Sequence, residues 1–408
     1  MRLSKNKKIY LFIFFIISSS LFATDEVYKS LLKKAALDND FERSVDINLP
    51  FDKNLSEIGK RLFEDKALSF NSNTSCSSCH VDRFGSADGL PVAFGVGAEG
   101  EGKERIKTNG KIVPRNALPL WGRGGKDFHT FFWDGRVFVD ENGKVRSQIE
   151  NTVESSDPLI VAAHLPFVAI REMVEDNEDV SKNLKKESID ITAELYQQLV
   201  DKLSNETSYI KELAVLYGVE ENEVTFNHIA TSIAHFIRDK FSIKKTPFEN
   251  FVFEDSPLSN DAIMGGILFY GKAKCSSCHT GKYFSDLKFY SLPFKQSFFG
   301  MNGFGVDYGK YNMTENNDDL YKFRTPPLYN VEKTAPYSHS GSYNTLQEVI
   351  IAHYDPLRDL NFEDLDYKDR IELIKRIKNS PFKVDEIPTL SDTEINQLSE
   401  FLKTLTFD

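Results

Sequence analysis

Cysteine and strand-forming patterns are scarce in this sequence, and the 50 basic residues are outnumbered by 61 acidic ones. Only four of its 408 residues are cysteines, and none lies in the N-terminal apolar stretch, where one could carry a lipid. The formal net charge is −11, which argues against a nucleic-acid partner because the phosphate backbone attracts cationic surfaces. Alternating apolar patterns are sparse, and a mainly α fold is therefore expected.

The N-terminus has the composition of a secretory signal. Arginine and lysines precede an apolar run from Ile9 to Ile17, and small residues follow up to Ala23. Residues 1–23 are therefore predicted to be a signal peptide, cleaved near residue 23, that directs the protein to the periplasm. Cleavage would change the formal charge from −11 to −15. The apolar run is short for a membrane span, and an uncleaved anchor is the alternative.

All four cysteines fall in two copies of one pentapeptide, Cys-Ser-Ser-Cys-His. The copies contain Cys76, Cys79 and His80, and Cys275, Cys278 and His279. Cys-x-x-Cys-His is the attachment signature of c-type haem, in which two thiols bond to the porphyrin and the imidazole binds the iron. Zinc ribbons place their cysteine pairs about 15 to 20 residues apart, and a thioredoxin-like site needs a single pair. Two covalently bound c-type haems are therefore predicted.

A weak internal repeat indicates two related modules. The segment from Gly59 to Phe63 precedes the first motif and the segment from Gly265 to Phe269 precedes the second, and each is predicted to be a helix leading to a haem. The polar stretch 180–207 places a domain boundary near residue 205, which gives domains 24–205 and 206–408. The glycine-rich stretches 85–125 and 300–309 are expected to be long ordered loops around the cofactors.

Two further helices are predicted from local signals. The first has Ile229, Ile233, Phe236 and Ile237 on one face. The second begins with a capping box at Ser391 and is a candidate to pack back on the first domain.

For the second haem, the sequence offers one good candidate for the other axial ligand. A capping box at Thr345 opens a helix whose apolar stripe includes His353, whereas Tyr354 is expected to face elsewhere. A core histidine satisfied by a hydrogen bond is the structural alternative, and Met301 and Met313 are competing ligands. His353 is the preferred ligand because an iron nearby needs one.

For the first haem, no comparable ligand follows His80. His129 and His164 are possible ligands, but neither lies in an apolar helical stripe. This iron is therefore expected to have an open face, which is what an iron that binds small oxidants requires.

Several tracts resemble the bacterial dihaem cytochrome c peroxidases and their relative MauG. They are Phe132-Trp-Asp-Gly-Arg136, Pro114-Arg-Asn116, Thr334-Ala-Pro-Tyr337, His339 and the two haem motifs. The resemblance covers nearly the whole chain after the signal. It implies two mostly helical, cytochrome c-like haem domains, with a peroxidatic haem in the first and an electron-transfer haem in the second.

The resemblance also implies roles for individual residues. Trp133 matches a tryptophan between the two haems, and Glu172 matches a distal-pocket glutamate that moves protons during O–O cleavage. Asn116, with the backbone carbonyls of Thr334 and Pro336, matches a calcium site, because oxygen ligands suit a hard cation. The sequence further suggests that Arg136 pairs with a haem propionate, although a structural salt bridge is an equal alternative.

Three positions depart from the family pattern. Val96 stands where members that need reductive activation have a removable histidine ligand, so this chain is expected to react with peroxide without prior reduction. His353 stands where methionine or tyrosine is usual, which predicts a lower potential than His/Met ligation gives. Ala162 replaces a glutamine of the distal pocket and puts part of its hydrogen bonding in doubt.

These features predict an exported dihaem c-type peroxidase that reduces hydrogen peroxide to water. Its electrons are expected to come from a small redox protein, such as a cytochrome c or a cupredoxin, and to pass from the C-terminal haem to the N-terminal one. The alternatives are a MauG-like oxidase that modifies a protein substrate and a non-enzymatic dihaem electron carrier. A homodimer is possible.

Overall fold

The computed structural model describes residues 25–153, 155–175, 189–296, 298–358, 363, 365–380 and 387–407. The predicted signal peptide lies outside these ranges. Within them, no helix combines the length and the apolar composition that crossing a membrane requires.

Helices dominate the described part of the chain, which confirms the mainly α prediction. They are α1 (25–38), α2 (Ser44–Ile47), α3 (Lys53–Glu64), α4 (Pro158–His164), α5 (Ile189–Glu206), α6 (Tyr209–Tyr217), α7 (Phe226–Lys240), α8 (Pro247–Glu254), α9 (Asn260–Tyr270), α10 (Tyr311–Thr314), α11 (Leu346–Tyr354), α12 (Tyr367–Lys378) and α13 (Asp392–Lys403).

The strands are short and pair antiparallel. They are β1 (Ala93–Phe94) with β2 (Ile112–Val113), the meander of β3 (Thr130–Phe131), β4 (Val137–Val139) and β5 (Val145–Ser147), β6 (Phe289–Tyr290) with β9 (Phe323–Arg324), and β7 (Phe299–Gly300) with β8 (Gly303–Phe304).

The internal repeat corresponds to two helix crossings at equivalent glycines. A Cβ on Gly59 of α3 would lie 2.0 Å from the Ser232 carbonyl oxygen of α7. A Cβ on Gly265 of α9 would lie 1.8 Å from the Gln397 carbonyl oxygen of α13. Each helix that leads into a Cys-x-x-Cys-His motif is thus held against a partner helix by backbone contact that any side chain would prevent.

These crossings show which helices belong together. Helix α7 packs extensively on α3, so a division at residue 205 would separate two packed helices. Helix α13 packs on α9, and the expectation that the final helix also packs back on the first domain stays a prediction. The chain after α13 contacts the first module, where the Phe407 ring lies edge-on to Trp121 at 4.8 Å.

Candidate functional site

The first motif surrounds a cavity of about 680 Å³. Cys76, Cys79 and His80 line it, and Cys76 begins a short 3₁₀ turn, Cys76–Ser78, that follows α3 after a further 3₁₀ turn at Lys66–Leu68. The His80 Nδ1–H donates to the Ser86 carbonyl oxygen at 2.8 Å, which leaves Nε2 available to a metal. Burial lowers the pKa of His80 to about 4, so the imidazole is neutral at neutral pH, as a ligand must be.

Glu172 lines the same cavity. It lies in a turn after the 3₁₀ segment Leu165–Val168 rather than on an exposed helix, where the residue pattern alone would put it. The glycine loop fixes this turn, because the Val96 N–H donates to the Arg171 carbonyl oxygen at 3.0 Å and a Cβ on Gly95 would lie 1.9 Å from that oxygen. Burial raises the pKa of Glu172 to about 7, and the Arg136 charge opposes the shift.

His80 is the only imidazole among the described residues that line this cavity. His164 is buried elsewhere and its Nδ1–H donates to the Ile160 carbonyl oxygen at 2.8 Å, while His129 bonds the Thr130 hydroxyl at 2.7 Å. Met301, a competing ligand for the second haem, lines the first cavity instead. Ala162 also lines it, at the position where a glutamine is usual in the family that the sequence resembles.

The second motif lies against a more enclosed cavity of about 200 Å³. The His279 Nδ1–H donates to the Phe284 carbonyl oxygen at 2.9 Å, and the His353 Nδ1–H donates to the Val349 carbonyl oxygen at 2.6 Å. In both of these bonds Nδ1 is the donor, which leaves Nε2 as the nitrogen available to a metal. Burial lowers the pKa of His353 to about 4, so this ring is also neutral at neutral pH.

The spacing of these two imidazoles suits one shared metal ion. Their ring centroids lie 6.4 Å apart. Two metal–nitrogen bonds of about 2.0 Å, each with about 1.1 Å from nitrogen to ring centre, require about 6.2 Å. The residues present therefore fit a six-coordinate haem iron, and the competing residue Met313 does not line this cavity.

Tyr354 does not face away from the second cavity as expected. Its ring lines the cavity, and its hydroxyl donates to the Ala273 carbonyl oxygen at 2.6 Å and lies 3.3 Å from the Cys275 sulfur. The cavity is wide enough to take two consecutive residues of α11, and the hydroxyl ties that helix to the loop before the second motif.

Trp133 is the one residue among those described that lines both cavities. It lies in the turn of the β3–β4 hairpin, and its Nε1–H donates to the Asn116 carbonyl oxygen at 2.9 Å. Its ring is edge-on to His339 at 6.4 Å, and His339 stacks on Phe323 at 3.6 Å. A chain of aromatic rings thus connects the surroundings of the two motifs.

The family model for di-haem cytochrome c peroxidases matches residues 53–257 of this chain. The chain belongs to that family. It is 28 % identical over 302 residues to the methylamine utilization protein MauG of Methylorubrum extorquens, covering 73 % of this chain and 67 % of that protein. It is 26 % identical over 369 residues to a cytochrome-c peroxidase of Pseudomonas sp. (strain SCT), covering 82 % and 83 % of the two chains.

A solved structure of a MauG-like protein associated with microbial copper homeostasis shares the fold. It superposes with a TM-score of 0.62 at 23 % identity and covers 88 % of this chain and 90 % of that one. Membership of the dihaem peroxidase family confirms the expected class of oxidoreductase and implies two c-type haems.

A buried ionic network behind Trp133 was not anticipated from the sequence of this family member. Arg115 donates to both carboxylate oxygens of Asp307 at 2.8 and 2.9 Å and to Asp134 at 2.5 Å. Arg136 donates to both oxygens of the same Asp134 at 3.0 and 2.7 Å, so it is already engaged in the salt bridge that was the alternative to a propionate contact. The network links the first module to residue 307 of the second.

Two residues of the expected calcium site, Asn116 and Thr334, each lie next to the segment 85–90. The Asn116 side chain donates to the Leu90 carbonyl oxygen at 2.7 Å, and a Cβ on Gly85 would lie 2.8 Å from the Thr334 side chain. Pro336 follows Thr334 through a cis peptide bond. Among the described residues, no group of three or more His, Cys, Asp or Glu side chains could hold a metal ion.

Proposed function

We propose that this protein is an exported dihaem peroxidase that reduces hydrogen peroxide to two water molecules with two protons and two electrons. The electrons come from a small redox protein such as a cytochrome c or a cupredoxin. They enter at the haem held by His279 and are used at the haem held by His80.

Each motif supplies the attachment for one haem. Cys76, Cys79 and His80 would hold the first, and Cys275, Cys278 and His279 would hold the second. When bound, the two haems supply iron centres for electron transfer and for peroxide reduction.

One observation carries the proposal, and it is the asymmetry between the two cavities. His353 faces His279 at a separation that suits a shared iron, which makes the second centre a saturated relay. The cavity at His80 presents Glu172 and, among the described residues, no second imidazole. A face without a second imidazole, beside a carboxylate, suits the binding of a small oxidant.

Glu172 moves the protons. Its ionised carboxylate accepts a proton from incoming hydrogen peroxide and returns it to the departing oxygen as water leaves. A pKa of about 7 suits both halves of this exchange, because the carboxylate gains and loses a proton readily near neutral pH. Arg136 lies close enough to lower that pKa and so favours the ionised form.

Trp133 lies on the route between the centres. It lines both cavities, and the hydrogen bond from Nε1 to the Asn116 carbonyl oxygen fixes its ring. The ionic network of Arg115, Asp134 and Asp307 holds the hairpin behind it.

The remaining elements of the proposal concern organisation. Packing of α7 on α3 favours a division between the haem modules near residue 245 rather than 205. We further propose that the segment 1–23 directs export and that the protein forms a homodimer. Asn116 and the backbone carbonyls of Thr334 and Pro336 would hold a calcium ion.

A MauG-like oxidase is the second candidate, favoured by the 28 % identity to MauG. It would use the same two haems and Trp133 to withdraw electrons from a protein substrate. His353 argues mildly against it, because MauG has tyrosine at the matching position.

Stopped-flow mixing of the fully ferric holoprotein with hydrogen peroxide tests the proposal. The Soret band should bleach or shift without prior reduction, and a reduced cytochrome c should then be oxidised at two equivalents per peroxide. Absence of any spectral change would contradict the open first site. A spectral change without turnover of any small redox donor would favour the oxidase.

A further inference from the structure

Two buried arginines carry charges that no described carboxylate neutralises. Arg123 is 5 % exposed and lines the His80 cavity, while Arg324 is 1 % exposed and lines the His279 cavity. Burial lowers the pKa of Arg123 to about 9 and holds the pKa of Arg324 well below its usual range, with no acidic neighbour opposing either shift. A buried cation without an anion is costly, so each site calls for a negative partner.

The two guanidinium groups are also close to one another. Each lies near the ring of Phe128, with its central carbon 5.2 Å from the centroid for Arg123 and 5.6 Å for Arg324. They are therefore no more than about 11 Å apart, and in a low-dielectric interior like charges at this range repel. The repulsion adds to the cost of leaving both cations without a negative partner.

The guanidinium of Arg324 is fixed with one nitrogen uncommitted. Nε donates to the Phe132 carbonyl oxygen at 2.9 Å and Nη1 to the Thr325 carbonyl oxygen at 3.2 Å, but buried Nη2 has no partner in the described part of the chain. The Arg324 backbone N–H donates to the Trp133 carbonyl oxygen at 2.8 Å. For Arg123, Nε donates to the Pro119 carbonyl oxygen at 2.9 Å, which holds the group at the cavity wall.

Resting on the proposed function, we infer that Arg123 binds a propionate of the haem at His80 and Arg324 binds a propionate of the haem at His279. A propionate is the anion that each cavity would receive with its cofactor, and an arginine fork suits a carboxylate. Arg136 is the weaker candidate for this task because Asp134 already engages two of its nitrogens. The propionate of the haem at His279 would contact Arg324, whose backbone N–H donates to the Trp133 carbonyl oxygen.

The test measures both haem potentials in the holoprotein by potentiometric titration followed by electron paramagnetic resonance, with resonance Raman spectra of the propionate-bending bands. Variants Arg123→Met, Arg324→Met and Arg324→Lys are compared with Arg376→Met, whose arginine is 7 % exposed and lines neither cavity. Loss of a cation beside a haem favours the ferric state. Arg123→Met and Arg324→Met should therefore each raise the ferric-to-ferrous ratio of the adjacent haem at least tenfold, which lowers its potential by about 59 mV for one electron.

The outcomes separate this inference from the proposed function. Arg324→Lys keeps the charge, so its potential should move less than that of Arg324→Met while the Raman band still shifts. If Arg324→Met yields no haem-loaded protein, Arg123→Met decides by the potential of the first haem and Arg324→Lys by the propionate band of the second. Shifts no larger than those of Arg376→Met, or shifts at the opposite haem, would overturn the inference. Fewer than two haems in the unsubstituted protein would overturn the proposed function itself.

Discussion

Replacing Glu172 by glutamine is the sharpest test of the proton-transfer mechanism. Glutamine keeps the size of the side chain and its place in the cavity but cannot accept a proton. General acid–base groups of this kind contribute about 10²- to 10⁴-fold, and the second-order rate of the ferric protein with peroxide should fall within that range.

The pH dependence of the reaction rate with peroxide gives a second, independent test of the role of Glu172. Burial places the pKa of Glu172 at about 7, so the carboxylate is half ionised at pH 7 and about 1 % ionised at pH 5. Because the ionised form is the one that accepts the proton, the rate should fall about fiftyfold as the pH is lowered from 7 to 5. The rate of Glu172→Gln should be nearly flat over the same interval.

Stopped-flow absorbance at the Soret band measures both effects under pseudo-first-order peroxide. Arg171→Gln is a matched control, since it changes the adjacent residue and leaves the carboxylate in place. A Glu172→Gln rate within threefold of the unsubstituted protein would refute the assignment, and so would a steep pH profile that survives in the variant.

Three further predictions concern the parts that position the site. Gly95→Ala forces a Cβ against the Arg171 carbonyl oxygen, and the displaced turn should lower the peroxide rate about a hundredfold in the same assay. Arg115→Met leaves Asp307 buried without its cation and should cost about 3 to 5 kcal/mol of unfolding free energy in denaturant titrations; a loss no larger than that of the surface variant Arg146→Met would contradict it. Trp133→Leu should slow electron transfer between the haems, measured by flash photolysis, and an unchanged rate would remove Trp133 from the route.

Local signals predicted the helices well. The capping boxes at Thr345 and Ser391 both form, and the apolar stripe of α7 is buried as expected. These features depend on residues three or four positions apart, so the sequence displays them directly. The repeat around Gly59 and Gly265 also marked real helix crossings, although only the structure shows that the glycines are needed for backbone contact.

Long-range packing was harder to predict. Nothing in the polar stretch 180–207 indicates that α7 returns to α3, and the amphipathic pattern of α13 does not show which helix it packs against. The expectation that Tyr354 faces away from the second cavity was wrong for a related reason. Its helical angle from His353 is correct, but a cavity shaped for a broad cofactor contacts more of a helix than one stripe.

In the candidate site, too, some residues are predicted by local motifs and others depend on long-range packing. The cysteines and the proximal histidines carry their own motif, and His353 lies on a readable stripe. Glu172 has no such signal, because its burial depends on a turn that the distant Gly95 loop holds in place. Arg123 and Arg324 lie about 200 residues apart in sequence and approach the same phenylalanine only in the folded chain.

The proposed peroxidase mechanism requires that one iron keeps an open face while the other is held between His279 and His353. An electron paramagnetic resonance spectrum of the resting ferric protein tests it most directly. We expect one high-spin and one low-spin ferric signal, with the low-spin signal lost in His353→Ala. Two low-spin signals in the unsubstituted protein, or a spectrum that His353→Ala leaves unchanged, would contradict it.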